Sequence, residues 1–434
     1  INAYTEKRLE EKLGRAVNVR EDEIRALLLS FAYFFCLLCG YYILRPLREE
    51  MGVAGGVRNL PWLFTGTFVV MLAAVPAFGA AVSRFPRRRL VPAVYRFFVA
   101  NILIFYILFI AIPSGSGRVF LARAFFIWVS VYNLFVVSVF WSFMADIFGN
   151  EQGKRLFGFI AAGGTAGALL GPAISAALAV PLGPMNLLPI SAVFLELAVQ
   201  CVRRLSAPPG VAPGEAASGD AGGEGAIGGG ILAGAARVFR SPYLMGICLY
   251  ILFFTTTSTF VYFQQAHIVS GAFDDPAERT RVFASINLVV GLLTLLTQWF
   301  VTGRFMARFG VGAAAAFLPA VVAAGFLALA FSPVLAVLIA FQSIRRASNF
   351  AISRPAREVL FTVVGREDKY KSKNFIDTVV YRGGDAVSGW AFAGLSTLGL
   401  GLPAIAAVSM PLAAIWGGVA LLLGKKQEKL AGSG

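Results

Sequence analysis

The sequence predicts an all-α integral membrane protein, on three observations. Apolar residues make up 58% of the chain and charged residues only 14%, far from the balance of a soluble domain. Uncharged runs of the length a bilayer core demands, about twenty residues each, recur from one end of the chain to the other. The charges that remain are unevenly shared: the net charge is +15, and lysine and arginine crowd into alternate connecting segments. This pattern assigns the positive surplus to topology, with the basic segments and both termini in the cytoplasm, and not to a nucleic-acid partner. The expected setting is a bacterial inner (cytoplasmic) membrane.

The spans follow in order. Ala26 to Leu44 carries no charge and forms the first. Arg58–Arg84, Arg96–Arg118 and Arg123–Asp146 each enclose one more. Arg155 to Glu196 is too long for one crossing and divides at VPLGPMN into spans 5 and 6. Arg240–Asp274 holds span 7 with its loop, and Arg281–Arg304 holds span 8. Arg308–Arg345 divides at Ser332-Pro333 into spans 9 and 10, and Asp385–Lys425 divides at LGLGLP into spans 11 and 12. The expected total is twelve transmembrane helices. The first 25 residues lack the short apolar core and small-residue cleavage site of a removable signal peptide. Cys36 and Cys39 form a CxxC on paper, but inside an apolar helix with no histidine or acid nearby they read as packing.

One stretch breaks the pattern. APPGVAPGEAASGDAGGEGAIGGG, Ala207–Gly230, cannot bury a core and reads as a flexible linker. The expected organisation is a cytoplasmic segment over 1–25, a six-helix bundle over 26–205, a linker over 206–238, a second six-helix bundle over 239–424 and a tail over 425–434. The halves echo each other. SRFPRRRL after span 2 resembles GRFMARFG after span 8, and GNEQGKRLFGFI after span 4 resembles GREDKYKSKNFI after span 10. Matching positions imply an internal duplication about an axis along the membrane normal. That is the plan of the major facilitator superfamily, whose substrate sites lie near the bilayer midplane.

Charge inside a membrane helix costs about 2.5–3.5 kcal/mol per residue on insertion scales, so it marks function or a partner. Three groups stand out. Tyr41, Arg45 and Arg48 share one helix face, with Glu49 beside it. They read either as an outer-interface anchor or as a clamp for phosphate or carboxylate, and Pro46 is expected to open the helix there. In span 10, Arg345 and Arg346 fall near the bilayer centre. Arg346, Asn349, Ser353 and Arg357 share a face, and Arg354 and Glu358 stand four apart, in reach of each other. Arg354 and Arg357 read alternatively as gate charges. In span 11, Arg382 and Asp385 are either a structural pair or a switchable one with Asp385 as a proton site. Asn133 is a mid-span candidate in span 4. The TTTSTF run of span 7 reads as intrahelical back-bonding more than as substrate contact. His267 is the only histidine, no GxxxxGK[ST] occurs, and no cofactor, metal or enzymatic chemistry is expected.

Three stretches then resemble the bacterial and plastid ATP/ADP antiporter (nucleotide transporter) family, a branch of the major facilitator fold. ILRPLREE, Ile43–Glu50, is similar to its first-helix motif, and Phe135–Gly164 to its span 4 and following loop. ISRPAREVLFTVVGREDKYKSKNFIDTVVYRGGDAVSG, Ile352–Gly389, is the most specific of the three. The sequence departs from the family's pattern at Arg48 and Arg357, which stand where lysines are expected, and at Arg354, which stands for an acid. Trp128–Trp141 lacks the family's span-4 acid. The resemblance implies a transporter with an anionic substrate.

The expectation is therefore secondary transport of an anionic, phosphate-bearing metabolite, with a nucleotide foremost and ATP/ADP-type exchange as the mode. Arg45, Arg48, Arg345, Arg346, Arg357, Arg382, Tyr41, Asn133 and Asn349 would contact substrate. Glu49, Arg354, Glu358 and Asp385 would gate or couple. The expected partners are that small molecule and the lipid bilayer, with the protein a monomer. Two rivals stand beside it: proton-coupled transport of another solute, and a receptor or assembly subunit without turnover.

Overall fold

The computed structural model describes residues 20–84, 87–205, 231–365 and 375–432, together with 368, 372 and 373. Most of the linker and N-terminal segment, and much of the basic loop after span 10, lie outside the described residues. Every regular element among the described residues is helical. The helices are α1 (Glu21–Ala54), α2 (Leu60–Arg84), α3 (Arg87–Ala111), α4 (Gly115–Ile147), α5 (Asn150–Leu182), α6 (Leu187–Arg204), α7 (Ile231–Arg240), α8 (Pro242–Ala272), α9 (Pro276–Thr297), α10 (Gly303–Phe331), α11 (Leu335–Ser348), α12 (Arg354–Leu360), α13 (Tyr381–Thr397) and α14 (Leu402–Gly432). Helices satisfy every backbone group within one segment, the condition that a bilayer imposes.

Nine segments of the described chain are long and apolar enough to cross a membrane. One of them, Pro276–Phe331, has 56 residues. At about 1.5 Å per residue it would be far longer than a bilayer core of about 30 Å. Gly310, with φ 78° and ψ 173°, breaks it into two passes inside the GRFMARFG loop, a backbone conformation open to glycine and strained for most other residues. Spans 10 and 11 are not among the nine. They carry charge and are interrupted by π turns at Asn349–Ser353 and Ile376–Val380.

The chain forms two compact units. One holds the described residues up to Glu50, those from Ala73 to Leu205, and Thr280–Ser285; the other holds Met51–Leu72, the described residues from Ile231 to Arg279, and those from Ile286 onward. In the first unit, α1 and α5 touch backbone to backbone along Gly163, Gly167 and Gly171. A Cβ on Gly167 would lie 2.3 Å from the Phe35 carbonyl oxygen, and one on Gly171 would lie 2.7 Å from that of Cys39. Small residues spaced by four permit such close approach, which gives membrane helices their van der Waals contact. Ser175 Oγ donates to the Ile43 carbonyl, and on the other side of α1 Ser191 Oγ donates to that of Gly40.

In the second unit, hydroxyls from neighbouring helices reach carbonyls that prolines leave without an amide donor. Tyr250 OH donates to the Ala315 carbonyl at 3.1 Å, four residues before Pro319. Thr302 Oγ1 donates to the Ala351 carbonyl at 2.9 Å, four residues before Pro355. Each bond removes an orphan acceptor from an apolar interior. The early part of α2 also packs within this unit. Trp62 and Trp390 meet edge to face at 4.8 Å, and Trp390 Nε1 donates to Thr65 Oγ1.

The echoed loops take up equivalent roles. Gln152, in GNEQGK, donates to Glu23 at the start of α1, and Arg155 pairs with the same carboxylate at 2.9 Å. Asp368, at the matching position of GREDKY, pairs with Arg237 just before α8 begins. In each case a polar or charged side chain of the loop reaches a charged residue at or just before the start of a helix.

Candidate functional site

In the first unit the charged cluster sits on a helix that continues through Pro46 to Ala54 without opening. Arg45 lies 3.7 Å from Glu49 and 5.5 Å from the centre of the Tyr42 ring. Arg48 stacks on Phe126 at 3.9 Å, and its Nε donates to Ser130 Oγ at 2.7 Å. Ser130 in turn donates to the Phe126 carbonyl, so α4 fixes both groups that aim the guanidinium. Glu49 is buried, and its Oε2 has no hydrogen-bond partner. Tyr41 is buried, edge-on to Tyr42 and 6.3 Å from Tyr132. Tyr132 stacks on Trp128 at 5.3 Å, and the Tyr132 hydroxyl and Trp128 Nε1 are both buried without a hydrogen-bond partner. Asn133, the next residue of α4, is half-buried. The result is two cations, a buried carboxylate and an aromatic wall on adjoining helices.

In the second unit, Arg345 and Arg346 are both 7% exposed. Arg345 Nε and Nη2 donate to Gln342 Oε1 at 2.9 and 2.7 Å, and its Nη1 donates to Ser258 Oγ at 2.8 Å. Gln342 also donates to Gln265 Oε1, so an amide relay from α8 holds the acceptor in place. Arg346 Nη2 donates to Asn287 Oδ1 on α9 at 2.7 Å. Gln342, Ser258 and Asn287 are neutral acceptors that orient these guanidinium forks.

Arg382 and Asp385 do approach each other, at 3.8 Å, and Thr259 Oγ1 donates to Asp385 Oδ1 at 3.2 Å. Arg357 lies 4.0 Å from Asp377. Arg354 and Glu358 do not pair. Glu358 takes Lys373 at 2.6 Å, while exposed Arg354 lies over the Phe350 ring at 5.5 Å. Asn349 is half-buried in the π turn, and Arg346 takes Asn287 as its hydrogen-bond acceptor instead.

Sequence reasoning missed the neutral partners: Ser130, Ser258, Thr259, Gln265, Asn287 and Gln342. Gln342 carried a signal, since it stands three residues before Arg345 on the same face, and Ser258 and Thr259 lie in the TTTSTF run, read there as back-bonding. The TTTSTF run divides. Thr255, Thr256 and Thr257 bond back to their own helix, while Ser258 and Thr259 serve charged side chains.

No protein-family model and no curated protein matches this chain. Solved structures do. A bacterial homologue of the iron transporter ferroportin, in an inward-facing state, superposes with a TM-score of 0.65 at 11% identity, covering 94% of this chain and 100% of that one. The nucleoside transporter NupG, as a mutant, gives 0.55 at 11% identity, covering 94% and 100%. A bacterial homologue of the human lysosomal transporter Spinster gives 0.55 at 13% identity, covering 95% and 99%. These are membrane transporters, and the fold this chain shares with them is the all-helical major facilitator type. The protein is an integral membrane protein.

Proposed function

We propose that the protein is a secondary transporter of an anionic, phosphate-bearing metabolite, foremost a nucleotide, working by alternating access through twelve helices with both termini cytoplasmic. The observation that carries this reading is the manner in which Arg48, Arg345 and Arg346 are held. Each guanidinium sits on a helix, and hydrogen bonds to oxygens of Ser130, Gln342 with Ser258, and Asn287 aim it. Each unit thus presents pre-aimed donors of the kind that a phosphate needs when it gives up hydration. Arg45, Arg357 and Arg382 add positive potential, with Glu49, Asp377 and Asp385 as their resting partners. Those pairs stand 3.7–4.0 Å apart, loose enough for an incoming anion to compete. An emptied carrier would be left with stranded guanidiniums, which favours exchange over net movement. The resemblance to nucleotide antiporters favours a nucleotide among the phosphate-bearing metabolites. The test is uptake of labelled nucleotide into proteoliposomes preloaded with nucleotide. Stimulation by internal nucleotide is expected, and an absence of stimulation by any internal nucleotide refutes exchange.

A second reading rests on Asp385, a helix carboxylate held by Thr259 and close to Arg382. In a proton-coupled carrier it would bind the proton. Uptake would then follow an imposed pH gradient, and Asp385→Asn would abolish that dependence.

A further inference from the structure

A cleft of about 720 Å³ opens on the second unit where α8 begins, α12 has ended and α14 runs out. Three cations line it: Arg237 and Arg240 from α7, and Lys426 from α14. Asp368 pairs with Arg237, whereas among the described residues neither Arg240 nor Lys426 meets a carboxylate. The rest of the wall is largely apolar, with Val363, Val364 and Leu430 among it. Its floor is fixed, because the Tyr243 hydroxyl on α8 donates to the Leu360 carbonyl that closes α12, at 2.7 Å.

We propose that this cleft binds the phosphate-bearing headgroup of an anionic glycerophospholipid. Three points favour it over a free phosphate. The cleft lies where membrane helices begin and end, which is the level of the headgroups. It is far larger than a single phosphate needs, and it combines cations with an apolar wall that suits the glycerol and the first acyl carbons. Phe239, between the two arginines in sequence, is 71% exposed, as a side chain facing lipid would be. Cations near a membrane surface each contribute about 1 kcal/mol of attraction to anionic lipid. The site is independent of the transport reading and would exist in a protein that moves nothing.

The test uses the full chain, purified and reconstituted in nanodiscs. Lipid retention is measured by native mass spectrometry with phosphatidylglycerol against phosphatidylcholine, and inorganic phosphate is added in a separate arm. Wild type should retain phosphatidylglycerol selectively, and R240Q/K426Q should weaken that retention about thirtyfold. A photoactivatable phosphatidylglycerol on the unaltered protein should label peptides around 237–244 and 424–430, so the outcome does not depend on the variant folding. Equal retention of the two lipids, labelling confined to other segments, or protection by inorganic phosphate that matches phosphatidylglycerol would each overturn the proposal.

Discussion

Replacing Gly167 by alanine puts a methyl where α1 and α5 have no room. The added Cβ would lie 2.3 Å from the Phe35 carbonyl oxygen and 2.9 Å from the Cys39 nitrogen. Ordinary contact begins near 3.4 Å, so α1 and α5 must separate by about 1 Å locally. Both opposing atoms are backbone, and no side chain can rotate aside to absorb the change. Overpacking costs about 1–3 kcal/mol, and this geometry belongs at the upper end. Alanine's better helix propensity offsets about 1 kcal/mol, which leaves a net loss of about 2 kcal/mol. Gly158 on the same helix is the control. Its Cβ would meet nothing within 4 Å, so Gly158→Ala should be neutral or stabilising by up to about 1 kcal/mol. The displaced helix carries Arg45 and Arg48, so transport should fall with stability in Gly167→Ala alone. Thermal unfolding of both variants in one detergent, followed by proteoliposome uptake, reads the difference. Equal melting temperatures would refute the close-contact argument.

Other expectations follow from single contacts. Gln342→Leu removes the acceptor of two bonds from Arg345, each worth about 1.5–3 kcal/mol for a charged donor, and should lower substrate affinity at least tenfold in a binding assay. Ser130→Ala frees the Arg48 side chain while keeping its charge. It should raise KM several-fold with little effect on thermal stability, whereas Arg48→Ala should abolish uptake. Tyr250→Phe leaves the Ala315 carbonyl unsatisfied and should destabilise by about 1–3 kcal/mol in thermal unfolding. In the double variant with Pro319→Ala the restored amide should recover most of that loss.

The helical membrane character and the charges of α1 and span 10 were legible because both are local: composition sets the first, and a charge in an apolar run announces the second. What escaped was phase and partnership. Arg346 and Arg357 stand eleven residues apart, which plain helical counting puts on one face. The π turn at Asn349–Ser353 lies between them and adds about one residue, a rotation of about 100° per residue. Helical counting likewise pairs Arg354 with Glu358, yet Glu358 reaches Lys373, fifteen positions away. The neutral acceptors on α4, α8 and α9 come from helices distant in sequence, and no spacing rule connects Ser258 or Asn287 to an arginine on α11. The ion pairs Glu23–Arg155 and Arg237–Asp368 were hidden for a related reason: each joins residues more than a hundred positions apart in sequence.

The bond from Tyr250 to the carbonyl ahead of Pro319 ties two positions together in evolutionary time. A lineage that lost the hydroxyl first would have to survive an exposed acceptor in the interior, whereas one that lost the ring first would pass through a fully bonded intermediate. Drift at this pair is therefore directional, and close descendants should include chains that keep the tyrosine without the imino acid far more often than the reverse.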